Sequence, residues 1–231
     1  MQGLDAFDIR TAKANGEPWD FNSPSDRKLA REIIENRRPT WLICSPPCTA
    51  FSQLNVHWNF PKMEQAKVQA MLEEGRRHLH FVMGLCKLQL NSGRHFLFEH
   101  PAGALSWDDP WVRSLMNRPD VHTVLSDQCE YGLVTPNASG ELVPAKKPTR
   151  WMTSAAAMAR RLSKRCSGQH KHQPLLSGRA AAAAFYPLPL ITKILRGIRD
   201  TADERHPSDD APSKEIQHAM SRAALLHDQE P

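Results

Sequence analysis

Apolar residues fall into short blocks separated by longer stretches at helical spacing, and this alternation sets the expected architecture. Trp41–Cys44 and His95–Phe98 have the length and bulk of short buried strands. Val121–Leu125 and Arg150–Met152 are weaker strands of the same kind, and Leu4–Ile9 and Cys129–Leu133 are two further candidates. Asp26 stands as a helix cap before RKLAREIIENRR, where Leu29, Ile33 and Ile34 share one face, and the helix is expected to run to Arg38 before Pro39. From Lys62 to about Leu90, positions such as Val68, Leu72, Leu79 and Met83 extend a helical pattern through one or two helices. Asn91-Ser92-Gly93 then carries helix-stop chemistry. Met158–Lys164 and Tyr186–Ile198 are the remaining helices, the second entered through a proline-rich turn. Strands alternating with helices predict an α/β domain built on a parallel sheet. That domain is expected over residues 1–200. Residues 201–231 are expected to form a polar, flexible tail, with a short helix near Lys214–Leu226.

Length and charge narrow the class. The 231 residues suit one domain plus a tail, and 40% hydrophobic content is enough for a core. No apolar run reaches the roughly 18 residues of a membrane span, and the opening MQGLDAFDIR lacks the regions of a signal peptide. Five cysteines without paired spacing suit a reducing compartment better than a disulfide scaffold. The expectation is an intracellular protein, neither secreted nor membrane-bound, whose oligomeric state the sequence leaves open. The net charge is a modest +5, and its distribution says more. Lys146, Lys147 and Arg150 sit close together. Arg160, Arg161, Lys164 and Arg165 follow at i, i+1, i+4 and i+5, one positive face of a helix. Such a face suits phosphate contacts, and it suits a solvated surface equally well.

Candidate chemistry begins where the first clear strand ends. Ser45-Pro46-Pro47 forces the chain off the sheet, because proline has no N–H for the ladder. Cys48 follows at once, at the carboxyl end of a strand, where open α/β sheets bind ligands. The ordinary fate of a free cysteine is to fill space under a turn; the alternative here is a nucleophile. A second strand end carries Glu99, before His100-Pro101. If both strands lie parallel, thiol and acid share one crevice. A thiolate can then add to C6 of a cytosine while the acid holds and protonates N3, which makes C5 nucleophilic. Taken alone, Glu99 also reads as a partly exposed strand-end carboxylate. Cys166, His170 and His172 offer a thiolate and two imidazoles, and Cys129 is the natural fourth donor of a zinc set. The spacing C-x3-H-x-H is not that of a standard finger, and its flank is basic.

These residues resemble a known family. Ser45–Ser52, SPPCTAFS, is similar to the Pro-Cys loop of DNA (cytosine-5) methyltransferases, and Phe96–Pro101, FLFEHP, resembles their Glu-Asn-Val segment with His-Pro in place of Asn-Val. The likeness is greater to a divergent phage and retroelement branch with PPCT-x-FS, FEHP, Asp-Gln-Cys-x-Tyr-Gly, KKPTR and Cys-x-Gly-x-His-x-His. This chain carries each motif in that order, at Asp127–Gly132, Lys146–Arg150 and Cys166–His172 for the last three. The resemblance implies a Rossmann-like methyltransferase sheet with flanking helices, and S-adenosylmethionine as methyl donor. It implies DNA as partner (nothing in the sequence separates DNA from RNA), Cys48 as covalent nucleophile and Glu99 as the base-binding acid. It also implies an arginine at Arg150 that steadies the target base and the catalytic loop, and cofactor contacts from Asp8, Pro46 and Pro47. Ala180–Ile198 resembles the late segment that completes the cofactor pocket. No glycine-rich strand-to-helix turn precedes Cys48, so the chain reads as N-terminally truncated relative to the family. Fewer than thirty residues between Arg150 and Gly178 leave no sizeable target-recognition domain. The expected activity is methyl transfer to cytosine C5. The competing readings are an inactive nucleic-acid-binding remnant of such an enzyme and a zinc-stabilised interaction module.

Overall fold

A computed structural model describes residues 6–8, 10–175, 183 and 185–205 of the chain. Its centre is a four-stranded sheet of β1 (Trp41–Cys44), β2 (His95–Pro101), β3 (His122–Asp127) and β6 (Pro148–Thr153), in the order β1-β2-β6-β3. β1 and β2 are parallel, with Cys44 level with Phe98, whereas β6 is antiparallel to both β2 and β3. The sheet is therefore mixed, which corrects the expectation of a parallel one. The reason lies between β3 and β6. That connection holds a single helical turn over Gln128–Tyr131 and a hairpin of β4 (Val134–Pro136) and β5 (Leu142–Pro144), but no helix to carry the chain back across a face. A parallel return needs such a crossover. Asp127 instead lies opposite Pro148, and the chain comes back alongside itself.

Helices cover both faces. On one, α2 (Gln65–Asn91) and α3 (Pro110–Met116) enclose Phe96, Phe98 and Met152 together with Leu79, Met83, Cys86, Cys44 and Trp107. On the other, α4 (Ala156–Arg161) and α5 (Leu188–Arg205) pack Met158, Leu162, Leu190 and Ile194 on Leu97 and Trp151. β2 is buried along both faces, and for that reason Phe96, Leu97 and Phe98 are apolar in succession rather than in alternation. The architecture is thus α/β, a small mixed sheet with flanking helices.

Several boundaries differ from the sequence reading. α1 spans Pro24–Arg37 and is capped by Ser23, whose hydroxyl accepts the Asp26 N–H. Asp26 instead lies in the first turn and pairs with Lys13 Nζ at 2.9 Å. Arg38 ends α1 in the left-handed region, at φ 50°. Lys62–Leu90 resolves into the single helix α2. Cys129–Leu133 is not a strand, since its helical turn closes on Gly132 at φ 85°. α5 runs to Arg205, into the segment expected to be tail. The expected Lys214–Leu226 helix lies outside the described residues, as does most of Leu4–Ile9, of which Ala6–Asp8 form no strand. Among the described residues, no helix is long and apolar enough to cross a membrane.

One glycine ties the scaffold to the loop that follows β1. A Cβ on Gly75 of α2 would stand 2.6 Å from Ala50 Cβ and 3.3 Å from the Phe51 ring. This close approach lets α2 seat the turn Thr49–Phe51, and with it Cys48, directly on the core.

Candidate functional site at the ends of β1 and β2

Cys48 sits where β1 has ended and the turn Thr49–Phe51 begins. Ala50 and Phe51 are buried beneath it. Asn55 closes the far side, its side-chain amide donating to the Thr49 carbonyl at 2.7 Å. The Pro46-Pro47 stretch is held from below by His100. His100 Nε2 lies 3.1 Å from the Pro46 carbonyl, which can only accept, so Nε2 carries the proton and Nδ1 takes the Ser106 hydroxyl at 2.6 Å. Both ring nitrogens are thereby used by a neutral imidazole. Burial drives the His100 pKa down to about 4 from its ordinary 6.5.

That shift gives a pH-dependent prediction. A histidine depressed on folding contributes fully above its unfolded pKa, and the contribution disappears as pH falls through the folded value. Stability should therefore fall between pH 6.5 and about 4, by about 3 kcal/mol at most from this residue at about 1.4 kcal/mol per pH unit. His100→Asn retains a donor for Pro46 without a titrating ring. Urea melts across that range should show a shallower acid limb for the variant than for the wild type. Equal limbs would assign the acid sensitivity to other groups.

Glu99 projects from the opposite face of β2, level with Trp151. It is 6% exposed, and its buried Oε1 has no hydrogen-bond partner. Lys147 Nζ lies 3.7 Å from that oxygen and donates to the Ala183 carbonyl at 3.1 Å. The Tyr186 hydroxyl and Ser45 Oγ are 2.6 Å apart, and the Tyr186 ring leans on Trp151 at 5.8 Å between centroids. Burial pushes the Glu99 carboxyl above the usual carboxylate range, against the pull of Lys147, Tyr186 and Ser45. Burial and the nearby Glu99 push the Cys48 thiol up, while Lys147 draws it down. Tyr186 is pushed well above its ordinary value by burial and by Glu99, so its hydroxyl stays protonated. A thiol, a carboxyl and an ammonium thus share one electrostatic neighbourhood.

The other sequence candidates are dispersed. Arg150 lies opposite His100, on the face away from Glu99, and its guanidinium stacks 5.0 Å from the Trp107 ring centroid. It is thereby kept from Glu99 by the sheet. Asp8 is exposed in a turn where its Oδ1 accepts the Arg10 N–H at 2.9 Å. Pro46 meets His100 through its carbonyl, and Pro47 is exposed. Lys146 is exposed, whereas Lys147 is drawn into the site. The basic helix face is corrected outright. α4 ends at Arg161, so Lys164 and Arg165 are not on it. All four cations are paired, Arg160 with Glu204, Arg161 with Asp200, Lys164 with Glu130 and Arg165 with Asp127. The sequence reading passed over Tyr186 and Ser45 as site residues. Ser45 had a signal in its place beside the proline pair, and Tyr186 had only its position before a helix.

A second cluster lies just past the carboxyl end of β3. One donor atom each from Cys129, Cys166, His170 and His172 falls within 4.8 Å of the others, a set that could hold a metal ion. Cys166 Sγ is 3.6 Å from His170 Nε2 and 3.4 Å from His172 Nε2, and it accepts the Gly168 N–H at 3.3 Å. Cys129, half-buried beside Cys166, has its thiol pushed up to about 12. Among the described residues this is the only such group of four. No protein-family model, curated protein or solved structure matches the chain.

Proposed function

We propose that the chain carries out covalent chemistry on cytosine in DNA, with Cys48 adding to C6 and Glu99 serving N3, as in the cytosine-5 methyltransferases that its motifs resemble. One observation carries the reading. Glu99 is a buried carboxyl with a raised pKa, its Oε1 facing Lys147 without a hydrogen bond, in the electrostatic reach of a thiol on a braced loop. A free carboxylate in water would be ionised at neutral pH and unable to donate. Burial moves Glu99 toward the protonated form that N3 requires.

The residues then divide the work. The Cys48 thiolate forms a C–S bond to C6, and the ring's electron pair moves toward C5 as N3 takes the Glu99 proton. Before that step a neutral Glu99 ceases to oppose thiolate formation, and Lys147 is left as the charge favouring it. The Tyr186–Ser45 pair walls the carboxyl, and the His100–Pro46 bond fixes the loop that carries the thiol. A base within a duplex must leave the stack to reach this crevice. Leu54 and Trp58, exposed on the turn after Cys48, are the apolar surface beside it.

S-adenosylmethionine supplies an electrophilic methyl group in this family. Among the described residues no glycine-rich turn after a strand offers it a cradle, and the Asp8 carboxylate is engaged within its own turn. The described residues do not fit that cofactor, and no step here passes through it. The activity is tested by incubating the full chain with duplex DNA tritiated at cytosine C5, because addition of Cys48 at C6 lets C5 exchange its hydrogen with water. Release of tritium that is lost in Cys48→Ala supports the addition. Salt-sensitive DNA binding without release would support the inactive remnant instead.

A further inference from the structure

We propose that Cys129, Cys166, His170 and His172 form a structural zinc centre that clamps the irregular segment after α4 to the end of β3. The site is separate from the Cys48–Glu99 crevice, and the proposal stands whether or not Cys48 reacts.

Four ligand-type side chains converge on one point. Cys166 Sγ faces an imidazole Nε2 on two sides, at 3.6 and 3.4 Å, and accepts an N–H from Gly168. Each of these atoms is of a type that binds a metal ion through a lone pair. Cys129 brings a second sulfur into the same space. All four donor atoms lie within 4.8 Å of one another, close enough to share one ion. Two thiolates and two imidazoles are donors that zinc takes in closed tetrahedral sites.

The local backbone has the form of a metal-binding turn. Gly168, at φ 78°, lets the chain reverse two residues after Cys166, which brings its N–H onto the sulfur and His170 and His172 back beside it. The basic flank is no obstacle, because Lys164 is turned onto Glu130 and Arg165 onto Asp127. With both thiols deprotonated, zinc would leave the four-ligand site electrically neutral.

The placement also gives the ion a task. The segment from Leu162 to Leu175 contains neither helix nor strand. It is pinned at its start, where Cys166 N–H meets Asp127 Oδ2 at 2.9 Å and Lys164 N–H meets the Tyr131 hydroxyl at 3.0 Å. At its other end Gln173 N–H meets the Pro144 carbonyl of β5 at 2.9 Å. A four-ligand ion between these anchors would offset the entropy of fixing so irregular a stretch. All four positions are filled by protein, so the centre is closed to substrate.

The test uses the full chain purified under reducing conditions without chelator. Elemental analysis should find one zinc per chain. Exchange for cobalt should give the visible bands and thiolate charge-transfer band of a tetrahedral site. Chelation should lower the wild-type Tm by more than about 5 °C, with recovery on adding zinc and none on adding magnesium. Cys166→Ser and His172→Ala should each weaken zinc binding by more than about 100-fold, and Cys48→Ala should leave it unchanged. Should the variants fail to fold, the wild-type chelation and cobalt measurements decide alone. Folded protein with sub-stoichiometric zinc, a cobalt spectrum lacking thiolate bands, or a Cys129–Cys166 disulfide by mass under the same conditions would overturn the proposal.

Discussion

Glu99→Gln should slow addition of Cys48 to cytosine by about 10²–10⁴-fold, the scale of a lost general acid, with little change in stability. The amide keeps the shape of the carboxyl and can still bond a base, but it has no acidic proton for N3. The fold tolerates the change because the acid is buried at a cost, raised in pKa by that burial. Lys147 loses a partner at 3.7 Å and keeps the Ala183 carbonyl. A second readout should move the opposite way. At a pH above the Glu99 pKa the variant lacks the charge that opposes Cys48 ionisation, so alkylation of Cys48 by iodoacetamide there should be faster than in the wild type. The same reasoning gives a bell-shaped pH profile for the wild-type addition. The acid is lost as pH rises through the Glu99 pKa, and the thiolate is lost as pH falls below that of Cys48. Equal alkylation in variant and wild type would mean that the two groups do not sense each other.

Trp151→Ala carries the largest expected loss of stability, about 3–5 kcal/mol, read as a lower urea midpoint. Trp151 is fully buried on β6 between Leu97, Met158 and Leu190, and its indole N–H donates to Ser126 Oγ at 2.7 Å. Truncation opens a cavity under Tyr186 and leaves the Ser126 hydroxyl without its donor. Trp151→Phe fills most of the space and isolates the hydrogen bond, at about 1–3 kcal/mol. Trp151 is level with Glu99, so the alanine variant should also lose the order of the Tyr186–Ser45 wall. A loss below about 1 kcal/mol for Trp151→Ala would show that this face of the sheet is not the core described here.

The parts legible in the sequence depended on short-range physics. Pro46-Pro47 had to end a strand, and two short apolar blocks had to pair once both were buried. Parallel register, with Cys44 level with Phe98, then brings the Cys48 loop and Glu99 to the same end of the sheet. The four metal-site donors were recognisable by residue type alone. The rest depended on register and on partners distant in the chain. Arg150 and Trp151 differ by one position, and a one-residue step on a strand sends a side chain to the other face; nothing local said that Arg150 would follow His100. The sheet became mixed because the segment before β6 folds as a hairpin rather than a helix. Arg160 and Arg161 looked like a free basic face because their acids, Glu204 and Asp200, lie on a different helix. Lys147 stood in the sequence as one of a basic group with Lys146 and Arg150, and its partners Ala183 and Glu99, which hold it inside, lie far along the chain.

The central claim is that Cys48 attacks C6 of a cytosine held by Glu99. The most direct measurement is intact-mass analysis of the full chain after incubation with an oligonucleotide containing 5-azacytosine, where a nitrogen at position 5 lets the C6 adduct persist without a methyl donor. The account predicts a protein–DNA adduct mapping to the Cys48 peptide, absent in Cys48→Ala and much slower in Glu99→Gln. A folded wild-type protein that binds the oligonucleotide and forms no adduct, or one that forms it equally well without Cys48, would contradict it.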